Sequence, residues 1–64
     1  MRIVIAEDSV LLRAGITRLL ADAGFDVVAA VGDATALLEA VEEHKPDIVV
    51  TDVRMPPNHQ DEGL

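Results

Sequence analysis

The chain has 64 residues, half of them hydrophobic, with 12 acidic side chains against five basic ones and no cysteine. That size allows one small domain close to the lower limit of independent stability, and the apolar share excludes disorder throughout. The net charge of −7 argues against nucleic-acid binding through this segment, and the lack of thiols excludes a disulfide framework or a thiolate metal site.

Arg2 to Ala6 reads as a short apolar strand rich in β-branched residues. Apolar runs without alternation belong to strands covered on both faces. Asp8 or Ser9 then supplies a helix N-cap. Leu12, Ile16, Leu19, Leu20 and Ala23 follow helical spacing and are expected to face the core, with Arg13, Thr17, Arg18 and Asp22 mostly on the other side. Gly24 stands where a helix ends in a left-handed residue.

Asp26 to Val31 is the second expected strand, broken by Gly32-Asp33. Asp33 caps a second helix that is expected to bury Ala34, Leu37, Leu38 and Val41 and to expose Glu39, Glu42 and Glu43. His44 and Lys45 fall in its last turn, where they complement the carbonyl end, and Pro46 stops it. Asp47 to Thr51 is the third strand. From Pro56 onward the polar composition, with Pro-Pro, Asn and Gly, reads as a loop.

This β-α-β-α-β alternation predicts an α/β fold with a doubly wound parallel sheet of the flavodoxin-like kind. Right-handed crossovers and strands apolar on both sides make 2-1-3 the economical strand order, with one helix on each face. The order then reverses between the first and third strands. Ligands bind in such a crevice at the carboxyl ends of the strands. Glu7, Asp8 and Asp52 all follow strand ends at that edge.

Taken singly, each acid has a plain explanation: Asp8 caps the first helix, Glu7 is a solvated loop residue, and Asp52 initiates a turn. Together they repel one another unless a cation neutralises them. Hard oxygen donors, with no cysteine and no histidine pair, suit Mg²⁺ better than Zn²⁺. A backbone carbonyl just after Asp52 would add an oxygen, and one carboxylate becomes a nucleophile for phosphoryl transfer. His44 and His59 read as surface histidines, and Arg2 as a surface residue at the opposite edge.

The string Val4-Ile5-Ala6-Glu7-Asp8-Ser9, followed by a helix and then Pro46-Asp47-Ile48-Val49-Val50-Thr51-Asp52-Val53-Arg54-Met55-Pro56, resembles the receiver domain of bacterial two-component response regulators. The resemblance implies that Asp52 is the phosphoacceptor and Asp8 a direct Mg²⁺ ligand. It makes Glu7 the acid that reaches the metal through water, and Arg54 the residue whose backbone carbonyl completes the protein ligands. It implies a histidine kinase as phosphodonor and a reversible acyl phosphate as the signalling state. The lack of a signal-peptide pattern and of any apolar run near the ~18 residues of a membrane span makes a soluble cytoplasmic setting the expectation.

Receiver domains of this family resemble a five-stranded flavodoxin-like sheet, so residues 1–64 are expected to form a partial receiver domain. In that reading residues 1–51 carry three strands and two helices, and residues 52–64 carry the phosphoacceptor and the loop after it. The Ser/Thr of the family's fourth strand and the Lys of its fifth have no counterpart here. The long segment before Gly63 resembles regulators with a LuxR-type helix-turn-helix output domain, which implies DNA binding through a domain other than this one. Two other classes compete. A haloacid-dehalogenase-like phosphohydrolase would need a second Asp two residues after Asp52, where Arg54 stands. An interaction fragment would use Ile48-Val49-Val50 as an exposed edge that pairs with a second copy.

Overall fold

The structure is a computed structural model that describes residues 1–51, so Asp52, Arg54, His59 and the rest of 52–64 lie outside the described residues. The chain order is β1 (Arg2–Ala6), α1 (Val10–Asp22), β2 (Asp26–Val31), α2 (Ala34–His44) and β3 (Ile48–Thr51). The third strand begins one residue later than its sequence suggests. Asp47 turns its backbone N–H to the Arg2 carbonyl at 2.9 Å and enters the sheet from there.

The three strands form a parallel sheet in the order β2-β1-β3, as the crossover argument requires. Right-handed connections to opposite sides of β1 put α1 and α2 on opposite faces. Central β1 is therefore covered twice. Ile3, Val4, Ile5 and Ala6 are 2% exposed or less, and Ala40 of α2 closes on them from one side. β1 and β3 pair without a break, Ile3 with Ile48 through Ala6 with Thr51. The β1–β2 register shifts between Ile3 and Val4. Val28 is the extra residue there, a bulge in a sheet-edge strand.

Both helices begin on side-chain caps. Ser9 Oγ accepts from the Leu12 N–H at 3.3 Å, and Asp33 Oδ1 accepts from the Ala36 N–H at 2.8 Å. Between the two N-cap readings open in the sequence, Ser9 is the cap and Asp8 is not. α1 ends in a Schellman motif: Gly24 N–H donates to the Ala21 carbonyl and Phe25 N–H to that of Leu20, both at 3.0 Å. Gly24 has φ +97°, a conformation that L residues rarely adopt.

Each helix keeps part of its expected inward face, Ile16 and Leu20 in α1 and Ala34, Leu37 and Val41 in α2, and turns the rest outward. Leu12 is 51% exposed, and Leu19 and Leu38 are both 70% exposed, while Ala23 also lies outward. The stripe of α1 that turns inward is Arg13, Ile16, Thr17 and Leu20, all half-buried. Its i, i+3, i+4, i+7 spacing is that of one helix face. Apolar residues at 10, 11, 12, 16, 19 and 20 span too wide an arc to set the phase, so the contact with β2 and β1 sets it. In α2 the inward side carries Ala34, Ala36, Leu37, Ala40, Val41 and His44, so Leu38 alone departs from the expected apolar face, and His44 is half-buried rather than a surface histidine.

Candidate functional site at the carboxyl edge of the sheet

Parallel pairing brings the ends of the three strands to one edge. Ala6 is opposite Val31 on one side and Thr51 on the other. Glu7 prolongs the ladder by one bond, its N–H donating to the Val31 carbonyl at 2.9 Å. That bond holds the Glu7 backbone in line with β1 before the chain turns into α1.

The Glu7 side chain is only 5% exposed, and it is the buried acid among the described residues. Its Oε2 accepts from the Ser9 N–H at 3.2 Å. One long hydrogen bond is thin compensation for a buried carboxylate, which usually gathers several donors or a cation. Glu7 is thus no solvated loop residue. Asp8, next in the chain, is exposed and makes no protein hydrogen bond or ion pair among the described residues. The cap bond that would have occupied it belongs to Ser9.

A basic residue closes the other side of this turn. Arg13, one turn into α1, donates from Nη1 to the Glu7 backbone carbonyl at 3.0 Å. The guanidinium passes Gly32 so closely that a Cβ at Gly32 would stand 2.5 Å from Nη1. Sequence spacing puts Arg13 on the outer side of α1 and marks Gly32 only as the break after β2. The signal that could have found Arg13 is a positive charge one helical turn after an acidic pair, but its apparent place on the outer face of α1 hid it.

The chemistry of the donor set fits a hard divalent cation. Glu7 and Asp8 offer an under-compensated buried carboxylate and a free exposed one, and the chain has no cysteine to compete with these hard oxygen donors. Among the described residues no three His, Cys, Asp or Glu side chains gather into a metal-sized group. The third acid of the expected cluster, Asp52, is the residue after Thr51 and lies, with Arg54, outside the described residues.

Comparison with known proteins agrees with this architecture. The family model described as the response regulator receiver domain matches residues 3–63. The transcriptional regulatory protein PdtaR of Mycobacterium tuberculosis (strain ATCC 25618 / H37Rv) is 42% identical over 55 residues, which cover 86% of this chain and 27% of PdtaR. A protein-glutamate methylesterase/protein-glutamine glutaminase of Haloarcula marismortui is 46% identical over 56 residues, 88% of this chain and 15% of that protein. Among solved structures, RcsB from Salmonella enterica serovar Typhimurium, bound to promoter rprA in the presence of phosphomimetic BeF3-, superposes with a TM-score of 0.84 at 28% identity. That superposition covers 98% of this chain and 32% of the RcsB chain. The chain thus spans 27% of PdtaR's length and less of the methylesterase's. The matched span takes in nearly every residue, both strand-end acid motifs included, and the chain belongs to the family of response regulator receiver domains.

Proposed function

We propose that this chain is the phosphoacceptor part of a two-component response regulator, with Asp52 taking a phosphoryl group from the phosphohistidine of a histidine kinase. The observation that carries the reading is the register of Ala6 with Thr51. Glu7-Asp8 and Asp52 are the next residues along two neighbouring parallel strands, at the edge where open α/β sheets bind ligands. Residues 1–51 supply the scaffold and 52–64 the acceptor and the loop after it.

In this reading the Asp8 and Asp52 carboxylates and the Arg54 backbone carbonyl hold Mg²⁺, with Glu7 reaching it through water. The bound cation supplies neutralisation of the negative charge that gathers on the transferring phosphoryl group. Buried Glu7, anchored through Val31 and Ser9, gives the site a fixed acid. Exposed Asp8 keeps a carboxylate free for the ligand. Attack by an Asp52 carboxylate oxygen forms the new P–O bond while the P–N bond of the donor breaks, and the donor imidazole takes up a proton.

Control of transcription is the proposed output, through a LuxR-type DNA-binding domain in the protein to which this segment contributes. The similarity to a transcriptional regulatory protein and to a promoter-bound RcsB supports that output. The segment itself is proposed to be non-enzymatic. The haloacid-dehalogenase alternative finds Arg54 where its second Asp is required. A cytoplasmic setting completes the proposal, and no described helix is long and apolar enough to cross a membrane.

Incubation of the full-length regulator with acetyl phosphate and Mg²⁺, followed by mapping of the adduct, tests the reading. The expected product is an acyl phosphate on Asp52, labile in base, absent from Asp52→Asn and absent without Mg²⁺. Phosphate on Ser9, Thr17 or His44 instead would overturn it.

A further inference from the structure

Arg13 lies outside the set of acids proposed to bind the cation, yet it is built into their support. Its Nη1 reaches back from α1 to the Glu7 carbonyl at 3.0 Å, and that carbonyl belongs to the peptide joining Glu7 to Asp8. Gly32, at the end of β2, leaves the space for it: a Cβ there would stand 2.5 Å from Nη1, 3.7 Å from the guanidinium carbon and 3.9 Å from the Glu7 oxygen. Gly32 does not have positive φ, so its backbone is open to other residues, and the guanidinium is what a side chain would displace. Three elements thus meet at one peptide: β1 supplies it, α1 holds it and β2 makes room.

We propose that Arg13 is a positioning residue for the cation site, fixing the Glu7–Asp8 peptide by its hydrogen bond to the Glu7 carbonyl through the gap at Gly32. The inference rests on the Mg²⁺ reading given above and deepens it. A peptide that cannot rotate holds the Asp8 carboxylate in one direction, and outer groups that orient ligands change metal affinity by about 10–100-fold. Charge alone works the other way, since a guanidinium near the acids repels a divalent cation. The sign of the effect therefore separates the two roles. If Arg13 acts by position, its removal weakens Mg²⁺ binding. If it acts by charge, removal strengthens binding.

Gly32→Ala supplies the complementary perturbation. It keeps the Arg13 charge and pushes the guanidinium off the carbonyl. The atom that must move is the far end of a flexible side chain, so the fold is little affected. The experiment is a Mg²⁺ titration of the full-length regulator, followed by the amide resonances of Asp8 and Ser9, for the parent, Arg13→Ala, Gly32→Ala and the double variant, with thermal unfolding of each. The expected result is about tenfold weaker Mg²⁺ binding in each single variant and no further loss in the double, since both remove one interaction. The Asp8 amide, which belongs to the held peptide, should move alike in the metal-free single variants. Unchanged or tighter binding in Gly32→Ala, or multiplicative losses in the double variant, would overturn the proposal. Should Arg13→Ala fail to fold, Gly32→Ala decides alone. If the parent shows no saturable Mg²⁺ binding, the metal reading falls by itself. The metal-free Asp8 resonance then decides the anchoring: common displacement in the single variants sustains it, and an unmoved resonance overturns it.

Discussion

Arg2 and Asp47 exchange a reciprocal pair of hydrogen bonds at the amino edge of the sheet. The Arg2 N–H donates to Asp47 Oδ2 at 2.8 Å, and the Asp47 N–H donates to the Arg2 carbonyl at 2.9 Å. Residues 45 positions apart are thereby joined at the point where β1 and β3 begin their register. The same register sets which residues reach the opposite, acidic edge. Asp47→Ala removes the side-chain half of the pair and should cost about 1 kcal/mol. Asp47→Asn keeps an accepting oxygen and should cost less. Denaturant unfolding of both variants checks the order, and equal stability of Asp47→Ala and parent would remove Asp47 from the register argument.

Lys45 is the non-glycine residue with positive φ among those described, at φ 48° and ψ 61°. It closes α2 by donating its N–H to the Val41 carbonyl at 2.8 Å. An L residue in this conformation carries a penalty of roughly 1–2 kcal/mol relative to glycine, partly offset here by the Nζ contact with the Glu42 carbonyl at 3.4 Å. Lys45→Gly should therefore raise stability by up to about 1 kcal/mol. Gly24→Ala, at φ +97°, should lower it by a similar amount. A midpoint shift of the same sign in both variants would contradict the account.

Glu7 and Asp8 should respond differently to Mg²⁺ and to its removal. A ligand that binds only the folded chain raises its melting temperature. In Asp8→Asn that Mg²⁺-dependent rise should disappear, because the free exposed carboxylate is the direct ligand in the proposed site. In Glu7→Gln the rise should shrink, while the metal-free protein melts no lower than the parent. A buried carboxylate with one 3.2 Å donor carries a desolvation cost that the amide lacks. Calorimetric scans with Mg²⁺ and with chelator read both effects. A full Mg²⁺ response in Asp8→Asn would sink the ligand assignment.

The strands, the caps and the sheet order were legible because each has a local physical cause. Ile3-Val4-Ile5-Ala6 is apolar without alternation, and it is the strand covered on both faces. Asp33 and Gly24 sit where capping chemistry places them. Helix phase was not legible: α1 is apolar around much of its circumference, and only contact with β2 and β1 selects Ile16 and Leu20 over Leu12 and Leu19. That same selection turns Arg13 inward. Its bond to the Glu7 carbonyl and its passage over Gly32 depend on three elements meeting, which no sequence spacing encodes. The pairing of Ala6 with Thr51 brings the two strand ends side by side, and Asp52, the next residue, lies outside the described residues.

The free 64-residue chain should be marginal as a monomer and should associate. Its buried apolar residues are Ile3, Val4, Ile5, Ala6 and Ala40 among those described, four of them from one strand. α1 has no buried residue at all. Leu11 is 82% exposed and Leu38 70%, and Ile48 and Val49 of β3 stay about 40% exposed. β3 pairs with β1 on one side, and its other edge has no strand partner among the described residues. An apolar, unpaired edge is a template for another chain, and a second copy offers the same edge. Burial contributes about 25 cal/mol per Å² of apolar surface, against ~1.5 kcal/mol per residue for ordering the chain, so a core this small leaves little surplus. Sedimentation should show a concentration-dependent mass, and Val49→Lys, which places a charge on the exposed edge strand, should shift the distribution toward monomer or toward the unfolded chain. A concentration-independent monomer with a cooperative unfolding transition of several kcal/mol would refute this, and would mean that central β1 and its two helices suffice as an independent folding unit.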